Sequence, residues 1–227
     1  KMATQLCIAS TAKNSTVKEN TFEYSYPQGS AVSIWGSGCL FENNTMTILP
    51  ESSYANSWGK HAIWDDAAST IRGNRIYIKD GLTTAISLFY YGYHLGQTTV
   101  IDGNDIRCEK IVPGQRPIGI HRGYPQGIYG AGRAEITNNL IAGFYRQIDM
   151  KTNNDPVVFI NNTLVAPKGQ NYGSTCATVN GWSAWENNIF YSENTSGFAL
   201  DWSGLPYDRL VNNLFYVPGG AKPLVPS

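Results

Sequence analysis

An all-β solenoid, a chain wound into stacked parallel coils, is what this sequence predicts. Three observations predict it. A short motif recurs, as "ENNTM" at 42, "TNNLI" at 137, "INNTL" at 160, "ENNIF" at 186 and "VNNLF" at 211. Its spacing suits one coil of a solenoid and is too long for a hairpin. The residues around it are β-branched and aromatic, with no helical period.

The corner comes first. The second polar residue of each motif marks it, at Asn20, Asn44, Asn74, Asn104, Asn139, Asn162, Asn188 and Asn213. Successive markers lie 24, 30, 30, 35, 23, 26 and 25 residues apart. The residue before the marker is Asn or Gly in seven coils and Glu19 in the other. Asn and Gly tolerate left-handed backbone angles, so a tight two-residue turn is expected there.

The flanking strands come next. Three residues before the marker stand Val17, Phe41, Ile71, Ile101, Ile136, Phe159, Trp185 and Leu210. Two residues after it stand Phe22, Met46, Ile76, Ile106, Ile141, Leu164, Phe190 and Phe215. All sixteen are apolar, so each coil should contribute one side chain to each of two buried stacks. The markers should then lie one above another at roughly 4.8 Å and hydrogen-bond as an amide ladder. That assigns the asparagines to structure rather than to chemistry.

Bulk composition narrows the class. Seventeen basic residues balance seventeen acidic ones among 227. No long-range field draws nucleic acid or an anionic membrane. No apolar run is long enough to span a bilayer. Charged residues are only 15%, while Tyr and Trp total twenty. Such a surface points to a secreted protein, or one on a cell or virion surface. Cys7, Cys39, Cys108 and Cys176 show no metal-binding spacing, and most of them are expected as reduced core residues. One β-helix domain is expected over residues 1–217, with a Pro/Gly-rich tail at 218–227. The chain starts directly in a coil with no capping helix, so a flanking domain or an oligomeric contact is expected at that end.

The repeated strand, corner and strand resemble the right-handed parallel β-helix proteins of the pectate-lyase-like superfamily. The resemblance implies about eight coils of three strands each. The third strands then read "QLCIAS" 5–10, "AVSIW" 31–35, "AIWDD" 62–66, "AISLF" 85–89, "IGIHR" 118–122, "QIDMK" 147–151, "ATVNG" 177–181 and "FALDW" 198–202. Alternation turns Val32 and Ile34, Ala62 and Trp64, Ile86 and Leu88, Ile118 and Ile120, Ile148 and Met150, Ala177 and Val179, and Phe198 and Leu200 inward. The outward column reads Trp35, Asp65, Phe89, His121, Lys151, Asn180, Asp201, with Asp66, Arg122, Asp149 and Trp202 beside it.

The resemblance implies a carbohydrate groove along this sheet. The intervening "YGYHLGQ" 91–97 and "GYPQGIYGAGR" 123–133 are rich in Gly and Tyr and suited to walling it. β-Elimination on an acidic polysaccharide needs a cation for the carboxylate, a base for the adjacent proton and an acid for the leaving oxygen. His121, Lys151, Arg122 and Asp149 are the candidates. Trp35, Asp65, Phe89, Asn180, Asp201 and Trp202 would hold substrate. Asp65, Asp66 and Asp149 could hold Ca²⁺. Two alternatives stand beside the lyase. One is an inverting hydrolase using Asp149 and Asp201, about 9.6 Å apart. The other is a non-catalytic glycan-binding or structural solenoid of the tailspike or adhesin kind.

Overall fold

In a computed structural model the protein is a parallel β-solenoid with three sheets and, among the described residues, no helix. The described residues are 6–9, 11–25, 29–50, 60–80, 83–88, 97–112, 116–122, 133–151, 156–168, 176–180, 182–196, 198–201, 209–220 and 222–224. Among the described residues the leading sheet, which enters the marker corner, has eight strands, and the trailing sheet, which leaves it, also has eight. The front sheet closes each coil and has nine strands among the described residues, from Leu6–Ile8 to Lys222–Leu224. That last strand lies inside the expected tail and pairs with Phe198–Asp201. The coil pattern therefore continues past residue 217.

The repeat is realised at every marker. All eight residues preceding the marker have φ between 54° and 63°: Glu19, Asn43, Gly73, Gly103, Asn138, Asn161, Asn187 and Asn212. Both predicted stacks form, each residue paired in register with its counterpart in the next coil. The twelve inner members are buried, and Val17, Leu210, Phe22 and Phe215 at the ends are partly so. Phe159 and Trp185 stack face to face at 3.8 Å, as do Phe190 and Phe215 at 4.6 Å. Each fully buried aliphatic or aromatic side chain contributes about 1.5–3 kcal/mol by leaving water.

The amide ladder is continuous. Each marker's backbone N–H and its Nδ2 donate to Oδ1 of the next marker, at 2.9–3.3 Å through all seven steps. From Asn44 onward, Nδ2 also donates to the carbonyl of the stack residue one coil back. Asn162 reaches Ile136 O at 2.7 Å, and Asn213 reaches Trp185 O at 2.8 Å. The six inner markers are buried, so these bonds satisfy groups that water cannot reach.

Three of the four cysteines fit the core reading. Cys39, Cys108 and Cys176 are buried and unbridged; Cys7 is exposed on the first front strand. Burial pushes the Cys108 and Cys176 thiols up to about 12, so neither is a ready nucleophile.

Candidate active site on the front sheet

The front strands stack in one register, which fixes two columns of side chains. The inward column runs Ile8, Ile34, Asp65, Leu88, Arg122, Met150 and Val179. The outward column runs Cys7, Ser33, Trp64, Ser87, His121, Asp149, Thr178 and Asp201.

Several expectations change against this frame. Asp65 faces inward with no exposed surface, and Trp64 takes the outward place. A one-residue slip in reading "HAIWDD" reverses every face. The sequence disguised the slip because a carboxylate lies where an apolar residue is expected. Asp65 has a local reason to turn in. Its carboxylate accepts from Ala67 N and Ser69 N, both at 3.3 Å, and from Thr99 Oγ1 at 3.2 Å. It thereby shapes the turn in which Ala68 sits at φ 51°. Burial pushes its carboxyl above the usual range, and the Ser69, Ala67 and Thr99 hydrogen bonds oppose that shift. Asp66 is buried too.

Arg122 also points inward, 1% exposed, and cannot pair a substrate on the outer face. Ile118, expected inside, is half-buried beside Arg146. Phe198 is likewise only half-buried, while Leu200 pairs with Ala177 in the core. Asp65, Asp66 and Asp149 are not gathered; among the described residues no three His, Cys, Asp or Glu side chains could hold a metal.

His121 and Asp149 are brought together. They face each other across adjacent strands, with His121 Nδ1 3.2 Å from the Asp149 carbonyl oxygen. Lys151 stands two residues beyond Asp149, where its backbone pairs with Asn180. The Lys151 and Asn180 side chains, together with Phe89 and Trp202, lie outside the described residues. So do most of 91–97 and 123–133, His94 included. Trp35 is 40% exposed at the end of its strand. Asp201 is partly exposed two rungs from Asp149.

Two residues join the site that the sequence did not single out. Arg146 Nη1 donates to Asp149 Oδ2 at 2.8 Å. In a regular strand, residues three apart lie on opposite faces. A β-bulge changes the parity: Gln147 N and Ile148 N both donate to Cys176 O, at 3.0 and 3.1 Å. Gln147 turns its amide to the Phe144 and Val165 carbonyls, each at 3.0 Å, and Arg146 swings to Asp149. The neighbouring strand accommodates the bulge at Gly119, where a Cβ would come within 2.5 Å of Gln147 O. The Arg146 guanidinium also lies over the Tyr145 ring at 5.8 Å, and Arg116 over the same ring at 5.4 Å.

His61 is the second. It is buried edge-on against Trp64, ring centroids 4.9 Å apart. Burial first, and the charge of nearby His121 second, lower its pKa to about 4. Its imidazole is therefore neutral near pH 7.

Comparison with protein-family models, with curated proteins and with solved structures found no match to any of them.

Proposed function

We propose that the front sheet binds an acidic polysaccharide and cleaves it by β-elimination, with His121 as the base. The single observation that carries this reading is the outward cluster of His121, Asp149 and Arg146 at the bulge. A carbonyl oxygen can only accept, so Nδ1 of His121 carries the proton in that contact, and Nε2 carries the lone pair of the neutral ring. Nε2 takes the proton from the carbon next to the uronate carboxylate. The C–H electron pair left on that carbon forms the new C=C bond to its neighbour, and the bond from that neighbour to the glycosidic oxygen breaks, its electron pair leaving with the oxygen. The leaving oxygen then receives a proton from the His121 imidazolium or from water.

Arg146, flanked by Arg116 across Tyr145, takes the carboxylate-neutralising role first considered for Arg122. Trp35 offers an exposed face for a sugar ring, and Asp201 a hydroxyl partner further along the axis. This reading places the protein among secreted or surface proteins. Inverting hydrolysis is disfavoured, because the Asp149 carboxylate is engaged by Arg146.

The test is incubation with polygalacturonate, alginate, hyaluronan and chondroitin, following the absorbance of unsaturated products. Turnover that persists in both His121→Ala and Arg146→Ala proteins sinks the assignment. A second reading, glycan binding without chemistry, draws on the same ion pair, since Asp149 held by Arg146 leaves no separate acid beside His121 among the described residues. Binding by the unmodified protein with no product from any of the four polymers would favour it.

A further inference from the structure

The outer face of the trailing sheet changes character along the axis. Its first four strands point Thr21, Thr45, Arg75 and Asp105 outward. Its later strands present Leu140, Val165, Ile189, Tyr191, Leu214 and Tyr216. Ile189, Leu214 and Tyr216 are 41%, 59% and 55% exposed, unusually open for large apolar side chains. Tyr191 and Tyr216 sit on adjacent rungs with ring centroids 5.5 Å apart, and the Tyr191 hydroxyl donates to Glu193 Oε1 at 2.8 Å. A second series borders the strip. Asn161, Asn187 and Asn212 occupy the left-handed corner position of consecutive coils, all exposed, one amide per rung.

We infer that this strip is a docking site for an extended, uncharged glycan chain lying along the solenoid axis. Three arguments select that occupant. The strip is four rungs long and two side chains wide, on the order of 150 Å², against about 800 Å² per partner for a stable protein interface. It is too narrow for a second copy and wide enough for a single chain. None of the outward side chains of its four strands is charged, and Glu193 at its edge, bonded to the Tyr191 hydroxyl, would repel an anion, so it offers nothing to a uronate or sulfate. Its chemistry repeats once per rung, aromatic or aliphatic on the face and amide at the border. Sugar rings can stack on tyrosines while their hydroxyls exchange hydrogen bonds with amides. The inference does not depend on the reading of the front sheet, which takes a charged polymer.

The experiment is calorimetric titration of the full chain with cellohexaose, xylohexaose and mannohexaose. At least one should bind, with an affinity that added salt leaves unchanged. Tyr216→Ala should weaken binding roughly tenfold, as loss of one stacking ring implies, and Tyr216→Phe should keep it within about twofold. Tyr216 is exposed, so neither variant endangers folding; Leu214→Arg, which puts a long charged side chain on the strip, should abolish binding. His121→Ala should leave the affinity as it was, which separates this site from the front sheet. Three outcomes overturn the inference: no neutral hexasaccharide binds, Tyr216→Ala binds like the unmodified protein, or sedimentation shows a dimer that Leu214→Arg dissociates.

Discussion

The marker corner and the front sheet are two parts of one coil, and they use repetition in opposite ways. At the corner, eight coils place the same side chain, the six inner ones in the same bonds, and nothing there differs enough to do chemistry. On the front sheet the backbone repeats while the side chains do not. Serine, tryptophan, a second serine, histidine, aspartate and threonine follow one another at one outward position. Repetition builds the scaffold, and departure from it locates the chemistry.

The contrast can be tested from its strongest consequence downward. His121→Ala should lower turnover of a cleavable acidic polymer by about 10²–10⁴-fold, the usual contribution of a general base, with the thermal midpoint nearly unchanged. Equal losses of activity and stability would put His121 in the scaffold instead.

His61 comes next. Its folded pKa of about 4 lies below the ordinary 6.5, so its contribution to stability is complete above pH 6.5 and is lost as pH falls toward 4. Urea unfolding across that window should show a decline of up to about 3 kcal/mol, absent in His61→Phe. An unchanged slope in the variant would exclude His61 as its source.

Asn162→Ala should cost about 1–3 kcal/mol by orphaning buried ladder partners, while leaving turnover and glycan affinity alone. Loss of activity at full stability would contradict the ladder's structural role. Asp65 tests the inward carboxyl. Its folded pKa is raised, so its stability contribution falls as pH rises above 3.8. Asp65→Asn should remove that decline, and the variant should gain on the unmodified protein between acid and neutral pH.

The smallest effect is expected at Gly103, φ 63°, where an added Cβ would meet nothing closer than Gly73 N at 4.0 Å. Gly103→Asn should leave the thermal midpoint in place, because asparagine holds this corner in five other coils. Gly103→Val should cost about 1–2 kcal/mol, since a branched side chain resists left-handed angles.

These comparisons also show what could be read from the sequence and why. The corner, both stacks and all eight third strands were legible because one residue type, or one apolar position, recurs in register. Trp64 and Asp65 were read on the wrong faces because an inward carboxylate breaks the apolar alternation that reveals a strand's inner side. Arg146 was invisible for another reason. Its place beside Asp149 depends on a bulge, and a reading with period two assigns residues three apart to opposite faces. No residue type announces the bulge in advance, although Gly119, an unusual residue for a strand interior, is a trace of it. Ordinary physics accounts for His61 as well: its lowered pKa comes from burial and from a histidine 60 positions away.

The ladder has a further consequence, for how such a chain can change over generations. Every leading strand ends two residues before its marker, and every trailing strand begins one residue after it. The coils nevertheless differ in length, and the difference falls in the connections to the front sheet. Three residues, 143–145, join the trailing strand to the front strand in one coil, and eleven, 49–59, do so in another. Since closing a longer loop costs only about 0.6 kcal/mol per doubling, additions there barely burden the fold. The amide column acts as a fixed margin against which each line of the chain is justified. Insertions and deletions are shunted to the side where the outward column stands, so the molecule can rewrite its working surface without losing register in its core.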